Sequence, residues 1–261
     1  MKKFIFLLLT ILFLTGCGVS NQSLVNGHQL TIKKESGLVN VKTVVPVNTI
    51  SKAVNVNTNT APKQPELPAV FDLKVAFASQ APLGDWGMPY QEACEEASMI
   101  VVAKYFKGEK LDKDIMNEEI LKLVKWEEEN GYPVDLTTRQ VVEILIKYFG
   151  LKAWTSKEVT ADKIKKEIVA GDLIIVPAAG RDLGNPYYRQ PGPLYHMLVI
   201  RGYNENEFIT NDPGTKRGEA FRYSYGDLLW AVHDWPGGIR KEGEPEPDMR
   251  KGEKIMAVIE K

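Results

Sequence analysis

The sequence predicts an α+β fold built around one core, with N-terminal helices packed on a mainly antiparallel sheet. Three observations point there. Helical periodicities cluster between about residues 91 and 171, strand-like runs separated by turn residues dominate from residue 173 onward, and no internal repeat is present. A chain of 261 residues with 44% hydrophobic and 26% charged side chains has the composition of an ordinary globular protein.

The first segment is a sorting signal by pattern and stands outside the fold. Lys2 and Lys3 give a basic start, Phe4 to Leu14 is mainly apolar and too short to cross about 30 Å of hydrocarbon, and Leu14-Thr15-Gly16-Cys17 follows. That last tetrad resembles the bacterial lipobox, which implies cleavage before Cys17 and lipid attachment to its sulfur. The expectation is an exported, lipid-anchored chain whose partners include a bacterial membrane. With Cys17 acylated, Cys94 is the single free thiol and no intramolecular disulfide can form. Residues 18–67 contain no Phe, Tyr or Trp and close on Ala61-Pro62-Lys63-Gln64-Pro65-Glu66-Leu67-Pro68, which marks a flexible tether with a reach of roughly 40 Å. Within it only Leu38 to Val45 alternates well enough for a strand.

The globular domain is expected to span residues 68–261. Phe71, Leu73, Val75 and Phe77 alternate as in a half-buried strand, and the turn-rich loop from Gln80 to Tyr90 follows. Ala93, Ala97, Ile100, Val101 and Tyr105 then recur at helical spacing up to Gly108, placing Cys94 in the first turn of that helix. Two further helices are expected from about Lys113 to Asn130 and from Thr138 to Phe149. Lys152 to Thr155 is a strand candidate, Thr160 opens a helix ending at Gly171, and Leu173 to Pro177 has the composition of a central strand. Strands His196 to Tyr203, Glu207 to Thr210, Ala220 to Tyr225 and Lys254 to Ile259 complete the list.

Function is argued from Cys94. A thiol becomes a nucleophile as thiolate, and a helix N-terminus beside an imidazolium favours that form; Glu95 and Glu96 by themselves oppose it, so a positive partner is needed. The chain has three histidines: His28 in the tether, His196 and His233. His196 opens a strand, and an antiparallel return across the Asn204 to Asn206 turn would bring Asp212 near it, where a carboxylate could orient the imidazole. Each residue also has a plain structural reading: Cys94 as a small core side chain, His196 as a satisfied core histidine, Asp212-Pro213-Gly214 as a turn. A metal site from Cys94, His196, His233 and Asp212 lacks any local ligand spacing, and no cofactor is expected. A formal net charge of -1 excludes nucleic acid as a partner.

Taken together, several segments resemble one known family. Ser79-Gln80-Ala81-Pro82, Trp86, Pro89-Tyr90-Gln91-Glu92-Ala93-Cys94-Glu95-Glu96-Ala97-Ser98, His196 to Tyr203, Asn211-Asp212-Pro213-Gly214 and Asp227 to Trp235 resemble, in order, the peptidase C39-like domain of the papain-like cysteine peptidase superfamily. The resemblance implies Cys94 as nucleophile, His196 as general base and acid, Asp212 as orienting residue and Gln80 as the side-chain donor of an oxyanion hole, with the Cys94 backbone N–H as its companion. Thirteen residues separate Gln80 from Cys94, more than in the transporter-fused members that cut after double-glycine leaders, so Gln91 is a rival for that role. No cleavage specificity is carried over, and His233 is assigned packing. Trp86, Tyr187 and Tyr188, aromatic residues in the loops flanking the expected site, are candidates for holding a substrate. The expected activity is that of a monomeric cysteine peptidase or amidase acting on a peptide or cell-wall peptide through a thioester. The alternatives are a catalytically silent papain-like binding module and a transpeptidase or acyltransferase using the same residues.

Overall fold

Seven antiparallel strands make one sheet in the computed structural model, which describes residues 66–238 and 245–260. The strands are β1 (Phe71–Asp72), β2 (Lys152–Ser156), β3 (Leu173–Ala179), β4 (Tyr195–Tyr203), β5 (Glu207–Asn211), β6 (Phe221–Ser224) and β7 (Met256–Glu260). They run in the order β2-β7-β3-β4-β5-β6, with β1 laid against β4. Among the described residues the helices are α1 (Cys94–Lys107), α2 (Lys113–Glu129), α3 (Thr138–Lys147), α4 (Ala161–Ala170) and α5 (Tyr225–Ala231). The architecture is the α+β one expected from the sequence. The signal segment, Cys17, His28 and the tether as far as residue 65 lie outside the described residues.

Most helix ends are fixed by local chemistry. The Asp112 carboxylate accepts from the N–H groups of Asp114 and Ile115 to start α2, a capping box of Thr137 and Gln140 starts α3, and Thr160 accepts from Lys163 N–H to start α4. Gly108 and Gly171 end α1 and α4 in the left-handed conformation. The start of α1 differs. Its N-cap is Ala93, which has no side chain able to accept a hydrogen bond, so burial rather than capping holds the turn that carries Cys94. Every residue from Cys94 to Ala103 is buried, and Ala97, Met99, Ile100 and Val102 are fully so. A helix buried on every side is a core helix, not a surface one.

The sheet separates two cores. Side chains alternate across a strand, so Leu173, Ile175, Tyr195, Met197 and Val199 pack with α1, α2 and α3, whereas Ile174, Val176, Leu198 and Ile200 pack with α4 and α5. Strands β3 and β4 are therefore buried on both faces. The β4–β5 hairpin pairs Tyr203 with Phe208 and Val199 with Asn211, the antiparallel return expected from the Asn204 to Asn206 turn.

Two elements differ from expectation. The alternating run from Phe71 to Ala78 pairs as a strand only at Phe71 and Asp72; Leu73 N–H still donates to the Arg201 carbonyl, and beyond it Arg201 Nη1 donates to the Val75 carbonyl and Asn211 Nδ2 to the Ala76 carbonyl, so side chains take over from the ladder. The close approach of β1 depends on Gly202, where a Cβ would lie 2.5 Å from the Phe71 carbonyl oxygen. The second difference is α5: the chain from Tyr225 leaves the sheet as a helix capped by Ser224, whose hydroxyl accepts from Asp227 N–H.

Candidate active site

Cys94 opens α1 after a loop that is fastened to the turn following β5. Gln80 N–H donates to the Pro213 carbonyl at 3.0 Å, and the Ser79 hydroxyl donates to the same oxygen at 3.1 Å. The first turn of α1 then docks along β4 through one residue. Met197 N–H faces Cys94 Sγ, and one helical turn later the Ser98 hydroxyl donates to the Met197 carbonyl at 3.3 Å. The thiol is thus seated on the backbone of the residue next to His196.

On β4, the hairpin register pairs Val199 with Asn211, the last residue of β5, so the chain leaves β5 at Asp212 on the way toward His196. His196 Nε2 is 2.8 Å from Asp212 Oδ1. A carboxylate acceptor assigns the proton to Nε2, which leaves Nδ1 as the ring nitrogen able to accept one. Asp212 is fully buried and heavily solvated by donors: Gly214 N–H also meets Oδ1, and Oδ2 accepts from Tyr188 Oη at 2.6 Å, Asn185 Nδ2 at 3.0 Å and Tyr223 Oη at 2.5 Å. Burial alone would raise its pKa; the charge and hydrogen bond of His196 and the two tyrosine hydroxyls reverse this and hold the carboxyl below the usual aspartate range. Gly214 is required here because a Cβ would come within 2.9 Å of His196 Cε1, and a Cβ on Gly218 would collide with the Asp212 carbonyl.

The thiol has the opposite environment. Burial, then the charge and hydrogen bond of Glu95, then the charge of Glu96, push the Cys94 thiol well above its usual value, with Met197 N–H opposing them. At neutral pH the resting group is a thiol. Cys94 Sγ donates to Glu95 Oε2 at 2.8 Å, and Leu136 N–H donates to Glu95 Oε1 at 3.1 Å. Glu95 is 1% exposed, and burial followed by the Glu96 charge holds its carboxyl well above the glutamate range. The next residue, Glu96, forms a buried carboxyl pair with Glu127 from α2; burial raises both, Glu127 to about 7.

The remaining sequence candidates separate. Gln80 is buried beside the turn before Cys94, but its amide donates to the carbonyls of Tyr90 at 2.9 Å and Gln91 at 3.1 Å, so both of its hydrogens are engaged in bracing that turn. This corrects the expectation of a free side-chain donor for an oxyanion. Its rival Gln91 is exposed and donates to Glu92 Oε1. The backbone N–H of Cys94, first in its helix, has no intrahelical partner. Tyr188 is corrected too: it is buried with its hydroxyl on Asp212 and its ring 5.4 Å from that of His196, so it supports the site from within and faces no substrate. Tyr187 and Trp86 are exposed, Tyr187 lying under the Arg217 guanidinium and edge-on to Phe221. His233 hydrogen-bonds the Gly252 carbonyl through Nδ1, a packing contact as expected. Asn185, Tyr223 and Glu95 were missed as site residues. The first two had no local signal, whereas Glu95 could have been found from its place next to the cysteine on a helix with no polar face.

No curated protein sequence matches the chain. Among solved structures, a C39-like peptidase from Bacillus anthracis resembles it at a TM-score of 0.48 and 14% identity, covering 74% of this chain and 98% of that one. Residues 72–231, which hold Cys94, His196 and Asp212, match the model of the Peptidase_C39 like family, and the chain belongs to that family.

Proposed function

We propose that the protein is an exported, lipid-anchored cysteine peptidase or amidase that cleaves a peptide bond through a thioester on Cys94. The single observation that carries the reading is the 2.8 Å contact of His196 Nε2 with Asp212, in a strand whose next residue seats the Cys94 thiol. In the reaction, Nδ1 of His196 takes the thiol proton as Sγ attacks the substrate carbonyl. Asp212, kept anionic by its ring of donors, stabilises the imidazolium. The tetrahedral oxyanion lies toward the N-terminus of α1 and the Cys94 N–H. The imidazolium then protonates the leaving amine, and a water deprotonated by His196 hydrolyses the thioester.

Because burial favours the protonated thiol, nucleophile formation is coupled to general-base transfer and does not draw on a standing ion pair. The lipid anchor at Cys17 rests on the sequence pattern alone. A second reading, a binding module of the same fold, is favoured by the raised thiol and by the engaged amide of Gln80. Alkylation kinetics of Cys94 with iodoacetamide separate the two. The peptidase reading expects a rate at neutral pH that depends on His196, with a large drop in His196→Ala; equal and slow rates in both would leave the binding module.

A further inference from the structure

The Cys94 thiol makes a contact that the Cys-His-Asp scheme does not use. Its Sγ is 2.8 Å from Glu95 Oε2, although adjacent helix residues do not ordinarily face each other, so the glutamate side chain has turned back onto its neighbour. Glu95 is 1% exposed, and the other end of its carboxyl is fixed by Leu136 N–H at 3.1 Å from Oε1. With Oε1 held as an acceptor by Leu136 N–H, a neutral Glu95 would carry its acid hydrogen on Oε2, the atom against sulfur.

The ionisable groups that face Glu95 are all acidic. Cys94 and Glu96 share its helix, Glu127 approaches from α2, and Tyr195 approaches from β4 with its hydroxyl on the Leu136 carbonyl and near Asp234. A buried carboxylate among such neighbours is costly, and its proton is the means of relief.

We infer that Glu95 is a further catalytic residue: a neutral carboxylic acid that donates a hydrogen bond from Oε2 to the Cys94 thiolate when His196 takes the thiol proton. The inference deepens the peptidase reading and rests on it for its role in turnover. In the resting state the S–H donates to Oε2. When the S–H bond breaks and its proton goes to Nδ1 of His196, the Oε2 hydrogen turns onto the new thiolate. No proton leaves Glu95, and the charge on sulfur is met by Met197 N–H on one side and the carboxylic acid on the other. When the tetrahedral intermediate collapses and sulfur becomes the thioester, that hydrogen bond weakens. The same acid, if ionised, would repel the thiolate.

Glutamine copies the neutral acid, since its Nε2 can donate to sulfur while its Oε1 accepts from Leu136. The test is a thiolate titration by ultraviolet absorbance, together with alkylation rates across pH, in the full chain and its Glu95→Gln and Glu95→Ala variants. Glu95→Gln should retain the wild-type thiolate fraction near neutrality within about threefold, and Glu95→Ala should lose about tenfold, one pKa unit upward. Wild type should also show a break at the pH where Glu95 ionises, above the ordinary glutamate range and absent from Glu95→Gln.

If Glu95 is instead a carboxylate at rest, removing its charge lowers the thiol pKa in both variants, and that sign overturns the proposal. A wild-type profile without the break overturns it as well, and this comparison does not need the alanine variant to fold. The thiolate titration does not depend on turnover. A slow thiol insensitive to His196→Ala would defeat the peptidase reading while the Glu95 titration still gave its own answer.

Discussion

Asp212 shows how a single side chain can be set by its donors. A carboxylate hydrogen-bonded by charged and neutral groups gains about 1.5–3 kcal/mol per bond relative to leaving the donor unpaired. Tyr188→Phe removes the 2.6 Å bond from the buried hydroxyl while keeping the ring beside His196. At neutral pH the variant should therefore melt lower by about 3–10 °C. The sign with pH follows from linkage. The folded-state pKa of Asp212 is depressed, so its contribution is present above the ordinary aspartate value and lost as pH falls through the folded value. Loss of Tyr188 raises that folded value, so the gap between variant and wild type should narrow on acidification; melting curves from pH 7 to pH 3 check it. In the same site, Asp212→Ala should slow Cys94 alkylation by at least tenfold, because His196 then loses the acceptor that leaves Nδ1 free. At this scale the sequence was informative where chemistry repeats locally. Cys94, His196 and Asp212 each stood beside a turn or a helix start. Asn185, Tyr188 and Tyr223 converge on Asp212 from a loop and a strand that only the folded chain brings together. Gln80 braces the turn before Cys94, and the destination of its amide hydrogens depends on where the carbonyls of Tyr90 and Gln91 point.

Among the elements, α1 and α2 meet across a pair of buried carboxyls that the sequence presents as ordinary helix charges. Glu96 and Glu127 were unreadable as core residues because Glu is mostly exposed and nothing local distinguishes a buried one. Their folded pKa values are raised, so the stability they allow is complete below the ordinary glutamate value and lost as pH rises, for Glu127 through about 7. The melting temperature should fall between pH 5 and pH 8, and Glu127→Gln should flatten that slope. An unchanged slope would assign it to other groups. At the other end of the sheet, Gly202→Ala would bring a methyl to 2.5 Å from the Phe71 carbonyl oxygen and 2.8 Å from Asp72 Cα, both backbone atoms. Displacing β1 should cost about 1–3 kcal/mol, seen in thermal unfolding. The helix α5 was not anticipated because it has seven residues, too few for a periodic signal, although Ser224 followed by Asp227 carries the cap.

Over the whole molecule, the order of helices and strands predicted the α+β class, and the β4–β5 register followed from one turn. The helices on both faces of the sheet were less legible, because a short apolar run does not reveal which faces of a strand are covered. The proposed lipid anchor makes a separate, cellular prediction: Cys17→Ser should move the chain from the membrane fraction to a soluble one, and an unchanged distribution in fractionated cells would remove the anchor from the proposal.

Strand β4 carries His196 and, in the next residue, the backbone on which the first turn of α1 and its thiol are seated, with an apolar core on either face of the sheet. In the proposed reaction, alignment of Cys94 with His196 is therefore a vernier on the seating of the helical layer against the sheet. A methyl group lost from either core far from Cys94 can change turnover with every reacting side chain intact, and Met197, gripped by α1 through both its N–H and its carbonyl, is the notch that sets the scale.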